Sequence, residues 1–351
     1  MTVRLTCAPD GLPPTEIRIG RGCLGDALAE LATDGRRTLA VIDARLAAAA
    51  ATAPRLPASW TVLPIDAGEG AKTFAVLEDL LRNCARAGLD RRGRLVVVGG
   101  GSLGDVVGLA ASLWLRGVEH VQAPTTLLAM VDSAVGGKTA LNLVEGKNLV
   151  GTVWPARLVV ADVDFLASLP DTEFRSGLAE AVKAGIGFCA ATFAWLRDES
   201  SAILRRDPDA LVELLRLAIA AKVRIVEMDP REHGPRRLLN LGHTLGHALE
   251  AWSGYAIPHG LAVARGLHFA VSLAVERGLL AAGDAEAMRA VLTTYGFAPT
   301  PLPPLDALAP YLRVDKKVDG DRLHFVVPTA IGASDAVPLS VDVIIDHLRR
   351  A

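Results

Sequence analysis

RLVVVGGGSLGD, Arg94 to Asp105, is the stretch on which the fold turns. Its first five residues are a compact aliphatic, β-branched run, the composition of a buried strand, and they lead directly into three glycines. The glycines fit GxGxxG through Gly99, Gly101 and Gly104, and Val106 to Leu115 continues with the apolar spacing of a helix. Strand, glycine turn and helix in that order form a dinucleotide-binding fingerprint. The glycines let backbone approach a pyrophosphate, and the helix N-terminus offers it free amides and a favourable dipole. The same letters alone would equally suit a tight structural turn, so the surrounding rhythm decides.

Around this stretch, short aliphatic runs alternate with helical ones. Thr38 to Ile42 (TLAVI) reads as a strand ending at Asp43 and followed by an alanine-rich helix; Trp60 to Ile65 reads as another strand and Ala75 to Ala87 as another helix. That rhythm predicts a parallel sheet covered on both faces, with ligands at the carboxyl ends of the strands. Asp43, at one such end, suits hydrogen bonds to a ribose and suits an ordinary helix N-cap equally well. Beyond Leu169-Pro170 the character changes: Thr172 to Phe188, Ala194 to Arg205, Asp209 to Met228, Leu238 to Trp252, Leu261 to Ala281 and Ala285 to Tyr295 all read as helices. The expected organisation is an α/β dinucleotide-binding domain over residues 1–170 and a mainly α-helical domain over residues 171–351. A proline-rich link from Ala298 to Pro304 precedes a short helix, the pair Lys316-Lys317 and a strand at Leu323 to Val327.

Composition narrows the function class. Apolar residues make up 51% of the 351 and aromatics only 5%, so alanine and leucine must fill most of the core of an ordinary soluble enzyme. With 37 basic and 39 acidic residues the formal charge is −2, which gives no global attraction to nucleic acid or an anionic membrane; any anion site must be a local cluster. Cys7, Cys23, Cys84 and Cys189 are scattered and form no CxxC pair, which argues against a disulfide framework or a thiolate zinc site and fits a reducing cytoplasm. No export signal or membrane segment is visible.

The chemistry concentrates elsewhere. LLNLGHTLGHALE, Leu238 to Glu250, places His243 and His247 four residues apart on one helix face, and His259 follows after a short turn. Three histidines this close suit a metal or acid/base site, and a lone pair of them would suit a hydrogen-bonded core equally. HTLGH lacks the glutamate of HExxH, so a metalloprotease with that base is not supported. In SGLAEAVKAG, Glu180 and Lys183 share a helix face, either as a surface ion pair or as a carboxylate buried among small apolar residues and needing a cation. Glu180, His243 and His259 would supply three N/O ligands with an open fourth position, the pattern of a catalytic zinc. SAVGGKTALNLVEGKN, from Ser133, resembles a Walker A ending, but Asp132 occupies the place of its required glycine and an ATPase is rejected. What remains is Lys138 and Lys147, each after a glycine and suited to presentation to anionic oxygens by tight loops. Lys222, Arg231, Arg236 and Arg237 form a basic cluster just before the histidines.

These strings together resemble the 3-dehydroquinate synthases of the sugar phosphate cyclase superfamily, from about Asp43 to Pro328. The matching stretches are GEGAK (Gly68 to Lys72), GGGSLGD, APTTLLAMVDSAVGGKTALN (Ala123 to Asn142), GKN (Gly146 to Asn148), SGLAEAVK, DPREHGPRRLLNLGHTLGHALE and DKK (Asp315 to Lys317). Two positions depart from the common family pattern, Leu261 where glutamate is usual and Ala184 where an aromatic residue or histidine is usual.

The resemblance implies an N-terminal NAD domain, a helical metal domain with the active site between them, and zinc (or cobalt) on Glu180, His243 and His259. It implies NAD contacts from Asp43, Glu69, Lys72, Gly101, Ser102, Gly104, Asp105, Thr125 and Thr126, with Asp132, Lys138 and Lys147 where cofactor meets substrate. Lys138, Asn148, Lys183, Lys222, Arg236, Asn240, His247 and one of Lys316 and Lys317 would hold the phosphate and carboxylate of a phosphorylated sugar acid. Arg116 would reach a neighbouring subunit's phosphate site in a homodimer. The implied reaction is transient oxidation of 3-deoxy-D-arabino-heptulosonate 7-phosphate at C5, β-elimination of phosphate, return of the hydride, ring opening and an intramolecular aldol closure, with His247 as the candidate proton carrier. Related cyclases and metal-dependent alcohol or glycerol dehydrogenases share the scaffold; the cations Lys222 and Arg236, with Asn240, favour the carboxylate-using branch.

Overall fold

The expected alternation of strand and helix takes shape in the computed structural model, which describes residues 2–49, 53–313, 318–319 and 322–350. They fall into two compact units, Met1–Leu169 with Leu211–Arg231, and Pro170–Ala210 with Glu232–Ala351. By its contacts Leu211–Arg231 groups with Met1–Leu169, apart from the residues on either side of it in the chain.

The first unit runs β1 (Val3–Cys7), β2 (Thr15–Gly20), α1 (Cys23–Ala32), β3 (Thr38–Asp43), α2 (Ala44–Ala48), β4 (Thr61–Ile65), α3 (Phe74–Arg86), β5 (Arg94–Gly99), α4 (Gly101–Leu113), β6 (Glu119–Pro124), β7 (Lys138–Leu143), β8 (Gly146–Val153) and β9 (Leu158–Asp162). Among the described residues its main sheet has the order β1-β2-β9-β6-β5-β3-β4, parallel except for the edge pair β1-β2. Alternation in the buried strands sorts side chains onto two faces. Leu39, Val41, Leu95 and Val97 pack with Leu77, Leu80 and Leu103 of α3 and α4, while Ala40, Ile42, Val96 and Val98 pack with Leu24 and Leu28 of α1.

The helix after β5 starts at Gly101 rather than Val106, so the glycine run is its first turn. A Cβ on Gly104 would come within 2.9 Å of Gln122 Oε1 on β6, and one on Gly101 would collide with Ser133. These glycines therefore seat the helix closely on the sheet as well as leaving backbone exposed at its start. Lys138 and Lys147 sit on the two-stranded antiparallel ribbon β7-β8, not in tight loops; the glycines before them let the ribbon begin, and Gly137 takes φ 71°.

The second unit begins with α5 (Asp171–Gly187), α6 (Ala190–Asp198) and α7 (Ser200–Leu204). The helix expected over Ala194 to Arg205 is thus two, separated at Glu199. The next helix, α8 (Pro208–Met228), lies almost wholly with the first unit. Then follow α9 (His243–Trp252), α10 (His259–Glu276), α11 (Ala282–Thr294), α12 (Leu305–Arg313), β10 (Val318–Asp319), β11 (Arg322–Ala330), β12 (Ala333–Ser340) and α13 (Val341–Arg350), with β10 to β12 forming a small antiparallel sheet. The helix expected from Leu238 starts only at His243. Pro235–Asn240 is a 3-10 turn, and Gly242, at φ 77° with no room for a Cβ beneath Val263 O, breaks the run.

Candidate metal and cofactor sites

The candidate metal ligands come together inside the second unit, from α5, α9 and α10. Glu180 lies in the middle of α5, buried, and pairs with Lys183 one turn on; this is a buried pair rather than a surface one. His243 opens α9 and His259 opens α10, so both histidines sit on helix ends that the Gly242 break and the turn after Trp252 orient. Close packing holds the two helices to the acid. Gly260 N donates to Ser176 Oγ at 3.0 Å, one turn before Glu180, and a Cβ on Gly260 would overlap Ser176 backbone.

The polar geometry leaves one nitrogen of each imidazole directed at the acid. His243 Nδ1 lies 3.1 Å from Leu241 O and His259 Nδ1 lies 3.0 Å from Glu250 Oε2. The opposite nitrogens, His243 Nε2 and His259 Nε2, stand 3.6 Å and 3.5 Å from the same oxygen, Glu180 Oε1. A tetrahedral ion with bonds of about 2.0–2.2 Å sets its ligand atoms roughly 3.3–3.6 Å apart, so each histidine nitrogen stands from Glu180 Oε1 at the spacing zinc or cobalt requires, and the three donor atoms all lie within 4.8 Å of one another. Burial works against a charged His259, but Glu180 and Glu250 outweigh it and raise its pKa to about 10. A proton thus competes for the position between His259 and Glu180 that a metal would take.

His247 is exposed on α9, its ring 5.3 Å from that of His243 and 6.0 Å from that of His259, facing the same region without being part of the Glu180 set. Arg236 is buried, and Asn240 Nδ2 donates to Glu232 Oε1 at 2.7 Å. Glu232 adopts φ 62°, an unusual conformation for a residue with a side chain, at the turn that leads into this segment. Lys316 and Lys317 lie outside the described residues.

The cofactor candidates cluster in the first unit. No side chain caps α4, so its first amides, after Gly100, remain available to an anion; this is the cradle a pyrophosphate needs. Ser102, Gly104 and Asp105 belong to its opening turns. Buried Lys72 donates to Asp105 Oδ2 at 2.6 Å and to Asn148 Oδ1. Burial, opposed by Lys72, raises the Asp105 pKa to about 6. Asn142 ties the same group together, donating to Glu69 Oε2 at 2.7 Å and accepting from Asn148 N at 3.0 Å, while its own amide donates to Lys72 O at 3.0 Å. Thr125 N donates to Gly99 O at 3.0 Å, and Thr126 Oγ1 accepts from Ala129 N at 3.2 Å, which places both threonines beside the end of β5. Asp43 serves as N-cap of α2, accepting from Arg45 N at 3.0 Å and pairing with the Arg45 side chain. Lys222 on α8 meets Asp132 at 2.5 Å, so a cation expected to hold substrate is paired with an acid expected beside the cofactor. Arg116, exposed and at φ 67°, ends the turn after α4.

The family model for the N-terminal part of 3-dehydroquinate synthase matches residues 62–176, and that for the C-terminal part matches residues 177–318. The chain belongs to the 3-dehydroquinate synthase family. A 3-dehydroquinate synthase of Xanthomonas oryzae pv. oryzae (strain MAFF 311018) is 43% identical over 349 aligned residues, covering 94% of each chain. Among solved structures, a 2-deoxy-scyllo-inosose synthase complexed with carbaglucose-6-phosphate, NAD+ and Co2+ is 26% identical with a TM-score of 0.86 over 100% of both chains. ValA, a 2-epi-5-epi-valiolone synthase from Streptomyces hygroscopicus subsp. jinggangensis 5008 with NAD+ and Zn2+ bound, is 28% identical with a TM-score of 0.84 over 99% of both. The fold class expected from the strand and helix rhythm, an α/β dinucleotide-binding part with a mainly helical part, is the fold of these synthases.

Sequence reasoning did not single out Glu250, Asn142 or Glu232, which contact the named residues His259, Glu69 and Asn240, or Ser176, which contacts Gly260 beside His259. For Glu250 a signal existed: it stands seven residues after His243, on the same helix face.

Proposed function

We propose that this chain converts 3-deoxy-D-arabino-heptulosonate 7-phosphate to 3-dehydroquinate and phosphate, as a carbon-oxygen lyase of the shikimate pathway for aromatic amino acids. The observation that carries the reading is the convergence of His243 Nε2 and His259 Nε2 on Glu180 Oε1 in a chain of this family. In this reading residues 1–170 bind NAD and residues 171–351, Lys222 among them, hold the metal and most of the substrate.

Bound NAD supplies a reversible hydride acceptor and bound zinc or cobalt a Lewis acid that acidifies a hydroxyl, so neither is consumed. The chain's own residues do the holding and the proton work. The amides that open α4, with Asp43, Glu69, Lys72, Ser102, Asp105, Thr125 and Thr126, orient the cofactor. Lys138, Asn148, Lys183, Lys222, Arg236, Asn240 and one of Lys316 and Lys317, joined by a neighbouring subunit's Arg116, hold the phosphate and carboxylate; hydrogen bonds to charged groups contribute about 1.5–3 kcal/mol each. Asp132 and Lys147 act beside the reacting carbons. His247, exposed one turn from His243, carries the proton during ring opening.

A homodimer follows from the role given to Arg116, and a cytoplasmic location from the scattered cysteines. No helix of the described residues is long and apolar enough to cross a membrane. Purified protein given NAD, zinc and the heptulosonate phosphate should release phosphate. Steady accumulation of NADH instead would replace this reading with a dehydrogenase of the same fold.

A further inference from the structure

Glu250 is a buried carboxylate that the proposed reaction does not use, and its surroundings aim it at one metal ligand. It lies near the end of α9, and the chain folds back on it at once: Tyr255 N donates to Glu250 O at 2.7 Å, Ser253 Oγ to the same oxygen at 3.0 Å, and Ile257 N to Ser253 Oγ at 3.2 Å. Tyr255 takes φ 66° to make this reversal. The result brings the first residue of α10 back to the helix that precedes it, with His259 Nδ1 3.0 Å from Glu250 Oε2.

We infer that Glu250 is a positioning residue that fixes the tautomer and the orientation of His259, and so sets how strongly that imidazole binds the metal. An ionised carboxylate can only accept at this contact, so in the neutral imidazole that binds a metal Nδ1 carries the hydrogen and the lone pair sits on Nε2, the atom 3.5 Å from Glu180 Oε1. His243 is held differently, by the neutral carbonyl of Leu241 at 3.1 Å. The two histidines are therefore unequal ligands. The charged partner makes the His259 imidazole the more basic, and its loss weakens the metal more than loss of a neutral acceptor would. Glu250 also belongs to a second possible ligand group with His247 and His259, whose donor atoms lie within 4.8 Å of one another. The 3.0 Å contact, the length of a hydrogen bond, favours the positioning role over ligation.

This inference rests on the reading of Glu180, His243 and His259 as the metal ligands, and the test separates the two. Zinc dissociation constants and stoichiometry are measured by chelator competition and metal analysis on the full chain, on Glu250→Ala and on Glu250→Gln. Long-range 1H–15N spectra of the zinc-loaded, histidine-labelled protein report which nitrogen of His259 is protonated. The expected results are one zinc per chain, a protonated Nδ1 on His259, a dissociation constant raised about 10- to 100-fold in Glu250→Ala and less in Glu250→Gln, which keeps an acceptor but loses the charge. Wild-type protein that bound no zinc would overturn the ligand reading and this inference with it. Zinc binding by wild type with equal affinity in both variants, or metallation of His259 through Nδ1, would overturn this inference alone. So would a second equivalent of zinc that vanishes in Glu250→Ala, since Glu250 would then be a ligand. If Glu250→Ala does not fold, Glu250→Gln and the wild-type spectrum decide.

Discussion

Gly260→Ala puts the smallest possible change beside the metal site and should disable it. A Cβ on Gly260 would stand 2.6 Å from the carbonyl carbon of Ser176 and 2.7 Å from its Cα, both backbone atoms that cannot rotate away. The Ser176 carbonyl oxygen would be closer still, and ordinary contact starts near 3.4 Å, so α5 and α10 must part by at least about 1 Å. That movement carries His259 away from Glu180, stretching the 3.5 Å separation of Nε2 and Oε1 to about 4.5 Å. No tetrahedral ion with bonds near 2.1 Å spans that edge, so one bond is lost or badly lengthened. Zinc affinity should fall roughly 100-fold, or about 2.7 kcal/mol, and the overpacking itself should cost about 1–3 kcal/mol of stability. Chelator competition gives the first number and thermal denaturation of metal-free protein the second. Gly283→Ala on α11, where an added Cβ meets nothing within 4 Å, is the control and should leave zinc binding unchanged. A folded Gly260→Ala protein that binds zinc within twofold of wild type would refute the claim that this helix contact sets the ligand geometry.

Other expectations follow from the same geometry. His243→Ala should lose metal and activity together, whereas Lys222→Ala should retain metal and raise the KM for the sugar acid about 10- to 100-fold, the worth of a charged hydrogen bond; a silent Lys222→Ala would remove the carboxylate assignment. Zinc affinity should fall as pH falls, by about one log unit per pH unit below the raised pKa of His259, because the metal must displace a proton there; a flat profile between pH values on that limb would contradict the protonated pair. His120, buried on β6, has its pKa lowered by burial from 6.5 to about 4, so the unfolded chain binds the proton first as pH falls. The stability that its neutral burial contributes is complete above the unfolded pKa and is lost as pH drops through the folded one, on the order of 3 kcal/mol. Denaturant titrations of wild type and His120→Gln across that window should show the slope in the first and a shallower one in the second.

The glycine fingerprint and the strand before it were legible because both signals are local: a buried strand must be aliphatic on both faces, and a helix start against β6 admits no side chain at Gly104. The histidine stretch was half legible. HTLGH carries the i, i+4 face, but the helix begins at His243 because Gly242 must pass beneath Val263, a contact made by a segment distant in sequence. The ribbon that presents Lys138 and Lys147 looks like loops in the sequence, since a glycine stands just before each lysine and period-two patterning over such short strands is weak. Asp43 suits a cap and a ribose ligand equally in the sequence; in the structure Oδ1 caps α2 and Oδ2 pairs with Arg45 Nη2 at 3.0 Å, so a sugar would have to share or displace that guanidinium. Glu250 and Ser176 escaped notice because their importance lies in which atoms of His259 and Gly260 they touch, and those contacts need three helices in place.

The central claim is that hydride leaves the substrate and returns to it within one turnover. The most direct test supplies zinc-loaded protein with the heptulosonate phosphate and far less NAD than substrate, and follows phosphate, 3-dehydroquinate and NADH together. Equal amounts of phosphate and 3-dehydroquinate, many turnovers per NAD and no net NADH are the expected result. Phosphate without 3-dehydroquinate, or turnover that stops when the added NAD has become NADH, would contradict the account.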